Sequence, residues 1–174
     1  PKPTAEVYAA ARLLDALVEA RLALEFLQKG LVRNAAGKAF QAWRAVLAAL
    51  LRLEAEKLAQ LAKTEEERRW LAERAVPRIP VTKIVRLSQM LEDVGYVGIS
   101  AVTSVALHLL EYKRHGPDPD MALSKYLTKK GAAVDVVLLT AELVKRTETL
   151  RTKVRWRAEL EEALNVLKTM LTGG

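Results

Sequence analysis

Along the first thirty residues the apolar positions recur three and four apart. Leu13, Leu17, Ala20, Leu24, Leu27 and Leu31 make one seam, the pattern of a helix packed against a neighbour. Thr4 stands where a side-chain oxygen caps a first turn, and Gly30 stands where a helix stops, so the pattern predicts a helix over 4–29. A second helix is predicted over 33–62. Phe40, Trp43, Val46, Leu47 and Leu50 share its apolar face, and the short turn between the two helices predicts an antiparallel hairpin. Thr64 and Glu67 have the spacing of a capping box, and Pro77 and Pro80 force an extended link. Further helices are expected over 82–93, closed by Gly95, over 97–114, over 119–129 with a break at Lys130 and Gly131, and over 132–171. No stretch alternates strictly enough for a strand. The expectation is an all-α, single-domain antiparallel bundle of about six helices spanning residues 1–174.

One seam is irregular. At 100° per residue, Leu143, Leu150 and Val154 point one way, while Trp156, Leu160, Leu164, Leu167 and Leu171 point about 100° away. Either the helix breaks near residue 155 or its last part packs on another surface. The second alternative makes 156–171 a C-terminal oligomerisation helix and the protein a homo-oligomer, in the simplest case a dimer.

Composition supports a bundle with an aliphatic interior. Hydrophobic residues make up 51% of the 174 and aromatic residues only 5%. A chain of this length buries roughly 70% of the surface it exposes when unfolded, enough for one core. The absence of cysteine excludes disulfides, thiolate metal sites and thiol catalysis. No apolar run reaches the roughly 18 residues of a membrane span, and the start, PKPTAEVYAA, lacks a signal-peptide layout. These features predict a soluble, cytoplasmic protein with no membrane partner. The net charge of +7 suits an acidic partner, and the Arg- and Glu-rich composition suits a heat-adapted surface laced with ion pairs.

Both histidines fall in LHLLEYKRHGPDPD, residues 107–120. His108 and His115 are seven residues apart, about 10 Å along a helix, too far for one metal ion. The segment has a complete structural reading. Lys113, Arg114 and His115 favour the end of a helix, Gly116 and Pro117 stop it, and Asp118 with Pro119 and Asp120 starts the next. His108, Arg114 and His115 are the first suspects if there is catalysis. No glycine-rich phosphate loop is present, and no cofactor or metal is expected.

The order of these elements resembles the archaeal PaREP family and, more widely, the HEPN-like helical domains. The resemblance rests on Lys38, Ala39, Phe40 and Trp43 in the second helix, and on Leu107, His108, Tyr112, Gly116 and Asp118 later on, and covers most of residues 5–150. It implies the helical fold and self-association. Ribonucleases of the HEPN-like group resemble one another in an arginine followed, after four to six residues, by a histidine. The corresponding positions here are Ala101, Val102 and Thr103 before His108, and His108, Leu109 and Leu110 before His115, so no catalytic residue carries over.

Charge is concentrated in two runs. Residues 68–86 hold Arg68, Arg69, Arg74, Arg78, Lys83 and Arg86 against Glu73 alone, and residues 145–157 hold Lys145, Arg146, Arg151, Lys153, Arg155 and Arg157 against Glu148 alone. Each run also carries a tryptophan, Trp70 or Trp156. Cations beside an aromatic face are what single-stranded nucleic acid needs, so Arg68, Arg69, Trp70, Arg74, Arg78, Lys153, Trp156 and Arg157 are the candidate nucleic-acid-binding residues. The functional expectation is a non-catalytic, self-associating helical module that binds RNA, a nucleotide or a protein partner. The alternatives are a ribonuclease with a non-standard site and a purely structural scaffold.

Overall fold

The structure is a computed structural model describing residues 2–75 and 79–173. Eight α-helices are present among the described residues, and no strand: α1 (Ala5–Gln28), α2 (Val32–Leu53), α3 (Ala55–Leu61), α4 (Glu65–Trp70), α5 (Ile84–Asp93), α6 (Ile99–His115), α7 (Lys129–Leu150) and α8 (Ala158–Thr172). A single π-helical turn, Leu71–Ala75, extends α4, and a 3-10 turn, Val81–Lys83, precedes α5.

The α1–α2 hairpin is the frame. Thr4 caps α1 by accepting the N–H of Val7 at 3.3 Å. At the other end Gly30 takes φ 74°, which lets its own N–H reach Leu27 and that of Leu31 reach Phe26. Leu13, Leu17, Ala20 and Leu24 are buried as the seam predicts, whereas Leu31 is 45% exposed because the helix has already ended. Both helices bury alanines, among them Ala9, Ala16, Ala20, Ala35, Ala39 and Ala42, small side chains that allow close packing. The predicted face of α2, Phe40 to Leu50, is fully buried.

The other helices pack on this pair. α6 and α7 lie against α2, α8 lies against α1, α5 lies against α6, and α7 touches both α6 and α8. A polar chain crosses the core. The indole N–H of Trp43 donates to Thr103 Oγ1 at 2.9 Å, Thr103 and Ser88 are joined at 2.8 Å, and Ser88 donates to the carbonyl of Ile84 at 2.9 Å. Since Ser88 spends its only proton on Ile84, Thr103 is the donor to Ser88. Every group in the chain is therefore satisfied.

Three expectations are corrected. The second helix does not run to 62: it breaks at Glu54, whose carboxylate accepts the hydroxyl of Tyr96 at 2.8 Å, and α3 starts afresh. Residues 119–129 do not form a helix. The carboxylate of Asp118 accepts N–H groups from Asp120 (3.1 Å), Ala122 (2.9 Å), Leu123 (2.7 Å) and Ser124 (3.4 Å), so it organises a loop instead of capping a first turn. Met121 takes a left-handed φ of 53°, and the N–H of Asp118 closes the loop on the carbonyl of Tyr126. The true cap is Thr128, which accepts from Gly131 at 3.1 Å, so Lys130 and Gly131 open α7 and do not interrupt it. The third correction concerns 132–171. The chain leaves the helix after Leu150 and restarts at Ala158. Leu160, Leu164 and Leu167 are buried within the same chain, with α8 against α1. Trp156 and Leu171, at the two ends of the same stripe, are half-buried.

The Asp118 loop gives a pH prediction. The N–H of Leu123 first, then those of Asp120, Ser124 and Ala122, hold this carboxyl below its usual 3.8 against a smaller opposing effect of burial. A depressed folded pKa contributes stability above the unfolded value that is lost as pH falls through the folded one. The Leu123 and Ala122 amides should stay protected from exchange down to about pH 4 and open below it. Asp118→Asn should expose them at neutral pH. Amides indifferent to both changes would mean that Asp118 does not organise the loop.

Candidate nucleic-acid interface

The two basic runs meet different fates. Arg68 pairs with Glu65 and donates to the carbonyl of Ala59, and Arg86 pairs with Glu67 at 3.5 Å. Trp70 is half-buried against the core beside Lys83 and Arg86, and Arg69 is exposed. Arg78 and the side chain of Arg74 lie outside the described residues. In the second run Arg151 pairs with Glu148 at 3.1 Å and with Glu161, and Lys168 also reaches Glu148. Trp156 is half-buried and already has partners. Its indole N–H donates to Glu161 at 2.8 Å, and the guanidinium of Arg151 lies 4.4 Å from its ring centre. Lys168 first and then Arg151 hold the Glu148 carboxyl below its usual range, and Arg151 first and then Trp156 do the same for Glu161. This cluster clamps α7, the 151–157 link and α8 together.

Among the described residues no hydrogen bond or ion pair joins the two runs. Lys153 sits 5.4 Å from the ring of Tyr96, whose hydroxyl reaches Glu54 at the start of α3, while Arg68 reaches Ala59 near the end of α3. Arg157 is exposed at the start of α8.

The suspects for catalysis do not assemble either. His108 is half-buried on α6, and His115 and Arg114 are exposed at its end. Among the described residues no three His, Asp or Glu side chains are placed to hold a metal ion. A cleft of about 480 Å³ between α1 and α2 contains Arg12, Asp15, Glu19 and Gln41, but Arg12 pairs with Asp15 at 2.7 Å and Glu19 with Lys38 at 3.3 Å.

A further set of exposed cations lies at the pole of the bundle where α1 turns into α2, α6 ends and α7 begins. Arg33, from α2, donates to the carbonyls of Lys113 (3.0 Å) and Arg114 (2.8 Å) and so caps α6 from another helix. The alkyl chain of Lys113 lies so close over Gly37 that a Cβ there would come within 2.8 Å of it. A Cβ at Gly30 would lie 3.8 Å from Nζ of Lys129. Tyr126 anchors the loop that carries Lys125: its ring meets Tyr112 edge-on at 5.8 Å, and its hydroxyl donates to Asp135 at 2.6 Å. Burial first, and then Asp135, pushes the Tyr126 hydroxyl pKa up, so it remains a proton donor.

Lys29, Arg33, Lys113, Arg114, Lys125, Lys129 and Lys130 are all exposed here, with His115 beside them. None forms an ion pair among the described residues. In the connecting loop Asp118 is spent on backbone N–H groups, which leaves Asp120. Lys129 and Lys130 occupy the first turn of α7, the positive end of its dipole, at a cost of about 0.3–1 kcal/mol each. A helix shaped by stability alone would carry acids there. Sequence reasoning missed this surface because its cations come from three separate stretches, 29–33, 113–115 and 125–130.

A protein-family model, that of the archaeal PaREP1/PaREP8 family, matches residues 11–137, well over half of the chain. No curated protein and no solved structure matches the sequence.

Proposed function

The chain belongs to the archaeal PaREP1/PaREP8 family, and from that membership and the cationic pole we propose that it is a non-catalytic helical module that binds single-stranded RNA. The observation that carries this reading is the gathering at one pole of exposed cations from three stretches, none in an ion pair among the described residues, whereas in the two basic runs Arg68, Arg86 and Arg151 are ion-paired. Cations already matched to carboxylates release few counterions when a phosphate arrives, whereas unmatched ones release them fully. Tyr112 and Tyr126 are buried, so the pole offers no free aromatic face there. Binding is then to the phosphate backbone, indifferent to sequence and steep in salt. The long first hairpin and the α6 that follows it support placing the fold with the HEPN-like helical domains. The missing arginine before His108 and His115 supports leaving out their ribonuclease chemistry.

The test is binding of labelled single-stranded RNA over a range of salt concentrations. Reversing Lys125, Lys129 and Lys130 to glutamate should weaken binding by about tenfold to a hundredfold and flatten the salt slope by about 2, at roughly 0.7 per lost phosphate contact. Reversing Arg68 and Arg86, which are already paired with Glu65 and Glu67, should change affinity by no more than about threefold. The opposite ranking would return the interface to the two basic runs. No binding at low salt would overturn the reading.

A further inference from the structure

α7 is apolar on two opposite sides. Its inner side, Ala132, Val136, Leu139, Leu143 and Leu150, is buried in the bundle. Its outer side carries Val134 (58% exposed), Val137 (43%) and Leu138 (48%), with Ala141 following at the same spacing. At about 100° per residue the two sets lie roughly half a turn apart. A helix that is apolar all round is normally covered all round, and a contiguous exposed apolar stripe marks an interaction surface. Leu127, 55% exposed, extends the stripe just before the helix begins.

The charges around the stripe select its occupant. Lys130 stands at one end and Lys145 at the other, both exposed and neither in an ion pair among the described residues. Of the acids on the helix, Asp135 is half-buried and accepts the hydroxyl of Tyr126, and Glu142 is half-buried and pairs with Arg146 at 3.1 Å. The exposed charged side chains of α7 are Lys129, Lys130 and Lys145, all of them cations. A second copy of this chain fits poorly. The antiparallel pairing that sets Val137 against Leu138 also sets Lys130 against Lys145 at both ends. Nucleic acid fits poorly too, because the stripe is aliphatic and offers no ring to a base.

We propose that the outer face of α7 docks an acidic amphipathic helix of a protein partner. Leucines of the partner, spaced three and four apart, lie on Val134, Val137, Leu138 and Ala141. Its glutamates or aspartates meet Lys130 and Lys145, which are about 22 Å apart along the helix. The stripe itself contains no cation, and Lys130, at its end, is the one residue the docking face shares with the cationic pole.

The experiment uses the full chain and a synthetic peptide of roughly 20 residues, leucine on one helical face and glutamate on the others. Its controls are a scrambled peptide of the same composition, single-stranded RNA and vesicles of phosphatidylglycerol. The comparison protein carries Val134→Ser, Val137→Ser and Leu138→Ser together, three exposed positions whose replacement leaves the core intact. The expected result is saturable 1:1 binding of the peptide with amide protection over 130–145. It should weaken at least tenfold for the triple-serine protein and for the scrambled peptide, while RNA binding by the triple-serine protein equals that of the unaltered chain. Equal binding of both peptides would reduce the effect to charge and overturn the proposal, as would peptide binding unaffected by the three serines, or none at all. A dimer that the serines dissociate would assign the face to a second copy. Vesicle binding that the serines abolish, without peptide binding, would assign it to an anionic bilayer.

Discussion

Trp43→Ala is expected to lower the free energy of unfolding by about 3–5 kcal/mol. Trp43 is fully buried at the middle of α2. Its removal empties the largest single volume in the core, and alanine keeps the helix propensity, so the loss is one of packing. It also deletes the first donor of the Trp43–Thr103–Ser88–Ile84 chain. Two further variants separate these effects. Trp43→Phe keeps most of the ring volume and should cost clearly less than alanine. Thr103→Val keeps the volume at 103 but strands the indole N–H in the core, which should cost about 1–3 kcal/mol. Urea unfolding at neutral pH, with unchanged slope, measures all three. A loss below about 1 kcal/mol for Trp43→Ala would mean that α2, α5 and α6 do not meet around this side chain.

Leu164→Ala should cost about 2–5 kcal/mol and leave the molecular mass in solution unchanged. Leu164 is fully buried on α8, between Leu160 and Leu167, and α8 lies on α1. At its start α8 sits beside Val7, Ala10 and Leu14 of α1. If these leucines instead faced a partner subunit, the same substitution would shift the oligomeric state and barely alter the stability of the isolated chain. Chemical unfolding and sedimentation on one sample decide between the two. A changed mass with unchanged stability would restore 156–171 as an association helix.

The same two regions show what could be read from the sequence. Where a signal is local and one side of a helix faces one core, the pattern is faithful. Thr4 and Thr64 cap α1 and α4 as their spacing implies, and Phe40, Trp43, Val46, Leu47 and Leu50 are buried together. The stripe shift near residue 155 coincides with a break in the helix, and α8, which starts afresh at Ala158, lies against α1. Where a side chain has two competing uses, the pattern misleads. Asp118 before Pro119 reads as a cap, yet the carboxylate gathers four N–H groups across the loop and leaves Thr128 to start α7. The candidate interface was the least legible part. Runs of charge along the chain are visible at once, but glutamates about one turn away neutralise some of their cations, as Glu65 does Arg68 and Glu148 does Arg151. The unpaired cations are neighbours only after folding, and no periodicity announces them.

Arg33 and the carbonyl it holds on Lys113 are 80 positions apart in the chain. The cationic pole is therefore a property of the native state and vanishes when the helices separate. An anion seated there has no equivalent place on the denatured chain, so occupancy is linked to folding. At a ligand concentration a hundred times its dissociation constant, the native state gains about 2.7 kcal/mol. A polyanion bound there would act as a thermal ballast, raising the protein's melting temperature while bound and lowering it on release.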